Sequence, residues 1–229
     1  MKLPETLRYA ELVPVAWQNG GGVTREVARQ EGDGESPDWR VSVAELDREG
    51  PFSIITGVRR HFTVIGEHPV TLVLPDQRAV LASRESFIFK GEAVVNCLLP
   101  EGPSQALNIM YNPANWQASV RWLTPGEPLK QAPNAETLIL AVGGQAWRVG
   151  EPSLPLGSGD VWHWPRLNAD DELATDSSNT MTFETLPATR LIRVDLSPRV
   201  DAPFQSAKRG GERDLRRARG TPTAPVSTD

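Results

Sequence analysis

The sequence predicts an all-β protein with two barrel-like halves, and two features of the chain support this. Apolar and polar residues alternate with a period of two along many short segments, as they do in half-buried strands. Gly, Pro or Ser residues separate these segments, and no segment has a convincing helical period. At 229 residues, the chain is long enough for one large β domain or two small ones side by side.

The strand candidates fall into two groups, each with about enough strands for one barrel. Those of the first group are residues 7–12, 23–30, 39–46, 52–55, 60–66, 70–75, 79–81, 86–89, 94–99 and 107–111. Those of the second group are residues 119–123, 137–142, 146–149, 160–164, 181–186 and 190–196. The segment 112–115, Asn-Pro-Ala-Asn, separates the groups and marks the domain boundary. We therefore predict one barrel in residues 1–115 and a second in residues 116–200.

The end of the chain, residues 201–229, differs in kind from the rest. It is rich in basic residues diluted by acids, and it has almost no apolar residue after Phe204. Such a segment cannot bury enough surface to offset the entropy lost on ordering. We predict that it is a disordered basic tail.

Composition narrows the location and the partners. The formal net charge of −5 gives no reason to expect a nucleic-acid partner or an anionic membrane. No apolar run approaches the roughly 20 residues that span a bilayer, and the first residues lack the apolar core of a signal peptide. Cys97 is the only cysteine, which suits a reducing compartment. We expect a cytoplasmic protein, and the sequence leaves a homodimer open.

The chain shows no signature of a metal or cofactor site. His61, His68 and His163 have neither of the short spacings that place two imidazoles on one strand or helix. The three glycines at 20–22 are not followed by the Lys and Ser or Thr of a phosphate loop. Cys97 lies in an apolar run and is interpreted as a small core residue. We expect no metal and no cofactor.

One stretch, residues 17–26, combines an aromatic, an amide, a glycine turn and a charged strand. Three consecutive glycines allow positive φ angles or a close approach of the backbone to a ligand. One interpretation is that this stretch forms one wall of a pocket. The other is that Asn19-Gly20 is simply a tight hairpin turn. The stretch alone does not choose between them.

Three strands carry polar and small residues on one face and bulky residues on the other. Because side chains alternate across a strand, each polar set shares one face. The sets are Thr24, Glu26 and Ala28; Arg40, Ser42 and Ala44; and Ala106, Asn108 and Met110. If these faces point inward, they line a cavity with a carboxylate, a guanidinium, hydroxyls and an amide. If they point to solvent, the bulky faces form the core.

Six short motifs, in order over about a hundred residues, together resemble the HutD/Ves family. The motifs are WQNGGGVTRE at 17–26, WRVSVA at 39–44, GPFS at 50–53, Gly57 followed by Arg60, FIFKGE at 87–92, and LNIM at 107–110. The resemblance is strong over residues 5–112 and extends over 116–196 only by general pattern. Two departures from the family pattern, Ile55-Thr56 before Gly57 and Ala106 before the LNIM motif, leave a changed pocket rim open.

The resemblance implies a double cupin-like barrel without the metal-binding histidines. It also implies a link to histidine utilisation, in which such a protein binds a small acid of the pathway, such as formylglutamate, and limits the pathway. The residues expected to bind the ligand are Asn19, Thr24, Glu26, Arg40, Ser42, Arg60, Asn108 and Met110.

Three functions remain open at this stage. The first is a non-catalytic binder of a small carboxylate, with Arg40 or Arg60 as the cationic fork. The second is a metal-independent isomerase, lyase or hydrolase with Glu26 as its general base. The third is a structural or interaction protein whose barrels are both filled.

Overall fold

Short β-strands make up nearly all the regular structure, as the alternating pattern predicts. The computed structural model describes residues 4–32, 36–132, 134–150, 155–166 and 180–199. The strands are β1 (Glu5–Leu7), β2 (Pro14–Ala16), β3 (Gly22–Gln30), β4 (Trp39–Leu46), β5 (Gly50–Pro51), β6 (Arg59–Val64), β7 (Val70–Val73), β8 (Arg78–Leu81), β9 (Ser86–Lys90), β10 (Asn96–Leu98), β11 (Ser104–Tyr111), β12 (Trp116–Trp122), β13 (Leu129–Lys130), β14 (Glu136–Val142), β15 (Gln145–Arg148), β16 (Leu156–Gly157), β17 (Val161–Trp164), β18 (Thr180–Met181), β19 (Phe183–Thr185) and β20 (Arg190–Pro198). The predicted tail, 201–229, lies outside the described residues.

Two large antiparallel sheets form the centre of the fold. The first large sheet has the strand order β2-β3-β4-β11-β6-β9, and the second has the order β1-β17-β14-β20-β12. They face each other across a shared core, to which the first sheet contributes Val41, Val43 and Ile109 and the second contributes Ile192 and Val194. The bulky faces of the predicted strands therefore join the two halves of the protein.

Smaller sheets cover the outer side of each large sheet. The protein therefore has four layers, with one hydrophobic core between each pair of neighbouring layers. The covering sheet of the first half has the order β5-β10-β7-β8. In the second half, the outer layer consists of the β13-β18 pair and the three strands β16-β15-β19. β8 and β9 follow each other in the chain but do not pair with each other. β8 pairs with β7 in the covering sheet, and β9 pairs with β6 in the first large sheet. Within the described residues, each half is thus built from facing open sheets.

Two of the predicted strands are wrong. Residues 7–12 are not one strand, because a 3₁₀ turn at Tyr9–Glu11 follows β1. Residues 52–55 are irregular, because the strand pairing there ends with β5, at Pro51. Phe52 nevertheless turns into the core of the first half, while Ser53 and Ile54 remain exposed.

The N-terminal segment crosses from one half to the other. β1 pairs with β17 in the second large sheet, and β2 pairs with β3 in the first. Between them, the buried Asp160 accepts hydrogen bonds from Arg8 Nη1 at 2.7 Å, from the backbone N–H of Tyr9 at 2.8 Å and from that of Gly157 at 2.9 Å. β1 therefore precedes the predicted domain boundary at residue 115 but lies in the large sheet of the second half. The domain boundary itself stays a prediction.

Replacing Asp160 with alanine is expected to lower the free energy of unfolding by about 2 to 4 kcal/mol. The change removes one buried acceptor and leaves several donors without a partner. Chemical denaturation, monitored by tryptophan fluorescence, measures the loss. Asp76→Ala, at an exposed aspartate between β7 and β8, is the matched control. Equal stabilities for the two variants would contradict the conclusion that the hydrogen bonds to Asp160 hold the N-terminal segment in place.

No helix in the described part of the chain has the length and apolar character needed to cross a membrane.

Candidate functional site

The polar face of the first large sheet points into the core of the first half, toward the covering sheet. One row aligns Arg40, Met110 and Arg60 on the neighbouring strands β4, β11 and β6. The adjacent row aligns Glu26 and Ser42 with Asn108, through pairing of β3 with β4 and of β4 with β11. We call these six residues the arginine site. The structure therefore brings together six of the eight residues predicted to bind the ligand.

A β-bulge gives the strand with Glu26 its final geometry. The register of β3 against β4 shifts between Glu26 and Ala28. Because of the extra residue, Val27, Ala28 moves to the opposite face and packs against the core between the large sheets. The prediction that Ala28 shares a face with Thr24 and Glu26 is therefore wrong.

Asn19, the seventh predicted residue, lies outside the arginine site. Its side-chain oxygen accepts a hydrogen bond from the backbone N–H of Gly21 at 3.0 Å, and its amide donates to the carbonyl of Pro51 at 3.2 Å. Gly20 has a φ of +66° there, which suits glycine. Asn19 thus stabilises the glycine turn and connects it by a hydrogen bond to Pro51, just before Phe52.

Thr24, the eighth, lies beside the arginine site and is joined to an aromatic wall. The indole N–H of Trp17 donates to Thr24 Oγ1 at 2.7 Å. The Trp17 ring meets the Phe52 ring edge-on, with 6.0 Å between centroids. The stretch thus forms a tight turn, and its Trp17 packs against the core that contains the arginine site; its role as a pocket wall stays a prediction.

Arg40 and Glu26 form an ion pair at the outer end of the arginine site. Arg40 Nε lies 2.7 Å from Glu26 Oε2, and the two side chains are 28% and 33% exposed. The Nε–H does not point along a hydrogen-bond direction to that oxygen, so charge attraction holds the pair. Arg29 also lies near, with Nη1 3.8 Å from the same oxygen. The charge of Arg40 is thus balanced within the protein.

Arg60 is the inner cation of the site, and it is almost completely buried, at 6% exposed. Its guanidinium carbon lies 4.7 Å from the centroid of the Phe52 ring and 5.1 Å from that of Phe89. Its hydrogen bonds are long: Nε donates to Asn108 Oδ1 and Nη1 to the carbonyl of Ser53, both at 3.5 Å. Burial, and then the charge of Arg40, lower the pKa of Arg60 to about 10.

No carboxylate among the described residues balances the charge of Arg60. The second half offers a direct comparison, because Arg193 is equally buried there, at 6% exposed. Arg193 binds Asp195 in a bidentate pair, with N–O distances of 2.7 and 2.8 Å, and Thr137 Oγ1 donates to Asp195 at 2.6 Å. Only one of these two buried guanidinium groups thus has its counter-charge in place.

Cys97 faces the same core but does not supply the missing anion. Burial and, to a smaller extent, the nearby Glu49 raise the pKa of its thiol to about 12, although the charge of Arg60 lowers it in part. The thiol is therefore neutral at physiological pH and is no thiolate nucleophile.

At pH 8, iodoacetamide is expected to modify Cys97 in the native protein more than about a hundredfold more slowly than in the denatured chain. A raised pKa reduces the thiolate fraction, and burial blocks access. Because the chain has a single cysteine, intact-mass spectrometry follows the reaction directly. Similar rates in native and denatured protein would contradict this placement of Cys97.

The aromatic residues around Arg60 were not among the predicted site residues. Phe52 and Phe89 belong to the motifs GPFS and FIFKGE, which sequence reasoning used only for the family resemblance. The alternation of Phe87, Ile88 and Phe89 could have indicated that Phe89 faces inward beside Arg60. The position of Phe52 depends on an irregular bend, for which the alternating pattern carries no signal.

Away from the arginine site, a hollow of about 690 Å³ opens between the two halves at one end of the large sheets. Its charged side chains from Asp47, Glu67, Arg84 and Arg190 are exposed. Glu45 lines it too, but this carboxylate already accepts from Tyr9 Oη at 2.7 Å and pairs with Arg25. The hollow thus contains solvated or already paired charges, in contrast to Arg60. Among the described residues, no three His, Cys, Asp or Glu side chains gather into a metal-binding group.

The fold is that of the cupin-like β proteins. A cupin 2 conserved barrel domain protein from Leptotrichia buccalis superposes with a TM-score of 0.50 at 10% identity, over 87% of this chain and 98% of that one. Such a likeness concerns the fold alone.

The chain belongs to the HutD family, whose sequence model matches residues 9–192. HutD from Pseudomonas fluorescens SBW25 is similar in structure, with a TM-score of 0.70 and 25% identity over 86% of this chain and 99% of that one. A 21.2 kDa protein in the hutC 3′ region of Pseudomonas putida is 29% identical over 171 residues, which cover 74% of this chain and 89% of that protein. The family resemblance carried by the sequence motifs is confirmed.

Proposed function

We propose that this HutD-family protein binds a small carboxylate in its first half and acts as a non-catalytic sensor that modulates histidine utilisation. The observation that carries the proposal is Arg60, which is 6% exposed and has no carboxylate partner among the described residues. The acids that the family resemblance implies, formylglutamate or a related intermediate of the pathway, supply a carboxylate that this cation lacks.

A buried cation without a counter-charge is costly to keep. Removing a guanidinium from water costs several kcal/mol, and attraction to the Phe52 and Phe89 rings returns about 1 to 2 kcal/mol each. The remaining cost is offset when a ligand carboxylate enters, because a charge-assisted and bidentate pair then replaces the lost water. This balance favours a site that is completed by its ligand.

The neighbours of Arg60 can orient such a ligand. Asn108 uses its side-chain oxygen to accept from Arg60 Nε, so its amide N–H groups remain to donate to a carboxylate. Ser42 Oγ lies 3.4 Å from the backbone carbonyl of Asn108 and can turn toward the ligand instead. Met110 lies between Arg40 and Arg60 in register and provides apolar contact. Thr24 contributes through its bond to Trp17, which supports Phe52.

We assign binding to the first half alone. In the second half, Arg193 already has Asp195 as its partner, so that half has no comparable unbalanced cation among the described residues. We propose that the second half supports the first through the core between the large sheets.

The enzymatic alternative gives Glu26 the role of general base. Proton transfer to Glu26 would cost its ion pair with Arg40, whose Nε is 2.7 Å away. The buried Cys97 thiol, with its pKa raised to about 12, offers no nucleophile. These observations support binding over catalysis.

The test combines calorimetry with a product assay. Formylglutamate and other acids of the histidine pathway are titrated into the wild-type protein, and each mixture is then analysed by mass spectrometry for conversion. Saturable binding with no conversion over hours supports the proposal. Conversion by the wild-type protein that is lost in Glu26→Gln would support the enzyme instead, because the amide cannot accept the proton. The absence of binding for every acid at millimolar concentration would overturn the proposal.

A further inference from the structure

We infer that the hollow between the two halves is a second binding site, and that its ligand is a small zwitterion whose ammonium and carboxylate groups lie at opposite ends of a short apolar chain. An ω-amino acid is the simplest member of this class. The hollow is separate from the arginine site, because it opens between the large sheets, whereas the arginine site faces the covering sheet. The inference goes beyond the proposed function and does not depend on it.

The hollow has the size and the apolar floor that such a ligand needs. Its volume of about 690 Å³ lies within the range of small-molecule sites. Ile65 of the first half and Val142 of the second both line it; Ile65 belongs to the core between the large sheets, and Val142 packs against that core. Trp122 adds an aromatic ring, whose indole N–H donates to the backbone carbonyl of Arg84 at 3.0 Å. An apolar chain can therefore lie along the hollow.

The order of the strands sets the positions of the charges along the hollow. Asp47 follows β4, and Arg84 lies just before β9, at the same end of the first large sheet. Because β11 and β6 separate these two strands, the two backbones are three strand spacings apart, about 14 Å. On the facing wall, Arg190 begins β20, next to β12, whose Trp122 contacts Arg84. Both guanidinium groups thus lie toward one side of the hollow and Asp47 toward the other.

The charged groups of the hollow can accept a ligand without breaking an ion pair. Neither Arg84 nor Arg190 lies within ion-pair distance of a carboxylate in the described part of the chain. The same holds for the carboxylates of Asp47 and of Glu67, which follows β6 and so lies between Asp47 and Arg84 along the wall. The ligand carboxylate is therefore expected at the two arginines, and its ammonium group at the acids.

The balance of charge favours a zwitterion over a simple acid or a simple amine. Arg84 and Arg190 contribute two positive charges, and Asp47 and Glu67 contribute two negative charges. The third carboxylate of the lining, Glu45, is balanced by Arg25, and the exposed His68 completes the titratable groups that line the hollow. A zwitterion pairs with both signs of charge, whereas a simple acid or amine pairs with one and faces like charges of the other.

The backbone supplies an independent observation at the same place. Arg84 and Ala188 have φ angles of +75° and +68°, and both residues line the hollow. Among the described residues, the other non-glycine residue with a positive φ is Asn134, and asparagine tolerates this conformation well. For arginine and alanine it costs free energy, and residues held in this way concentrate at binding and catalytic sites.

The experiment compares three probes with the same six-carbon chain: 6-aminohexanoate, hexanoate and hexylamine. Each is titrated at low salt into the isotopically labelled full-length protein, and the indole N–H signal of Trp122 is followed by NMR. The loss of one signal in Trp122→Phe assigns it among the seven tryptophans. We expect 6-aminohexanoate to bind with a millimolar dissociation constant and the other two at least about fivefold more weakly, because each of them lacks one ion pair near the surface.

Substitutions test whether the arginine at the basic side binds the probe. Arg84→Gln is expected to weaken 6-aminohexanoate about fivefold, and Arg84→Lys, which keeps the charge, to retain most of the affinity. Arg78→Gln is the matched control and should change nothing, because Arg78 is an exposed arginine on β8 that does not line the hollow. Since Arg60 can also bind a carboxylate, the titrations are repeated in Arg60→Met, in which the shifts of the Trp122 signal should persist.

A preference for 6-aminohexanoate that falls in Arg84→Gln and persists in Arg60→Met supports the inference. Equal affinities for the three probes, no saturable shift at millimolar 6-aminohexanoate, or an unchanged affinity in Arg84→Gln would overturn it and leave the proposed function intact. Loss of the shifts in Arg60→Met would overturn it as well, because the probe would then act through the arginine site.

Discussion

Replacing Arg60 with methionine is expected to weaken binding of a small carboxylate at least about a hundredfold, without lowering the free energy of unfolding. A ligand carboxylate that loses a buried, bidentate counter-charge loses about 3 kcal/mol or more of binding free energy. The folded protein does not lose stability, because the substitution removes a buried charge that has no counter-charge among the described residues. Methionine retains apolar contact with the Phe52 and Phe89 rings, and its sulfur packs well against them.

Calorimetry with the acid that binds the wild-type protein most tightly measures the first effect, and chemical denaturation without ligand measures the second. Arg59→Met is the control, because Arg59 is the neighbouring residue on β6, is exposed and lies on the opposite face of the strand. A large loss of stability in Arg60→Met would show that Arg60 is a structural residue. Unchanged affinity would show that the ligand anchor lies elsewhere.

The faces of the central strands could be predicted from the sequence, because strand alternation is a local property. Arg40, Ser42, Asn108 and Met110 do lie on one face of the first large sheet. The choice between a solvent-facing and an inward polar face could not be made locally. In the structure both faces are covered, one by the second large sheet and the other by the covering sheet.

The errors in the prediction arise where the period of two is interrupted. One extra residue at the bulge is enough to turn Ala28 to the opposite face. Residues 9–11 form a 3₁₀ turn in which the backbone N–H of Tyr9 donates to Asp160. These two residues are about 150 positions apart in the chain. No pattern within a short window contains that contact.

The unbalanced charge of Arg60 could not be predicted from composition or from spacing. Arg60 and Arg193 both lie on strands that are buried on both faces. What distinguishes them is an acid two residues away on the same face, Asp195, whereas the corresponding position after Arg60 is Phe62. The comparison becomes informative only once the structure shows that both guanidinium groups are buried.

Replacing Arg193 with methionine is accordingly expected to lower the stability, unlike Arg60→Met. It leaves the Asp195 carboxylate, which is 16% exposed, without its bidentate partner. Breaking a buried ion pair by removing one member typically costs about 3 to 5 kcal/mol, since the remaining charge stays desolvated. For a chain of this size, that loss lowers the melting temperature by roughly 10 °C.

Differential scanning calorimetry of the two variants, without ligand, makes the comparison. In the double variant Arg193→Met with Asp195→Leu, much of the stability is expected to return, because an apolar pair then replaces the ion pair. The recovery is partial, since Thr137 loses the acceptor of its hydroxyl group. Equal losses in Arg60→Met and Arg193→Met would mean that the missing counter-charge does not distinguish the two arginines. A ligand that supplies the missing charge would then no longer be needed to explain the burial of Arg60.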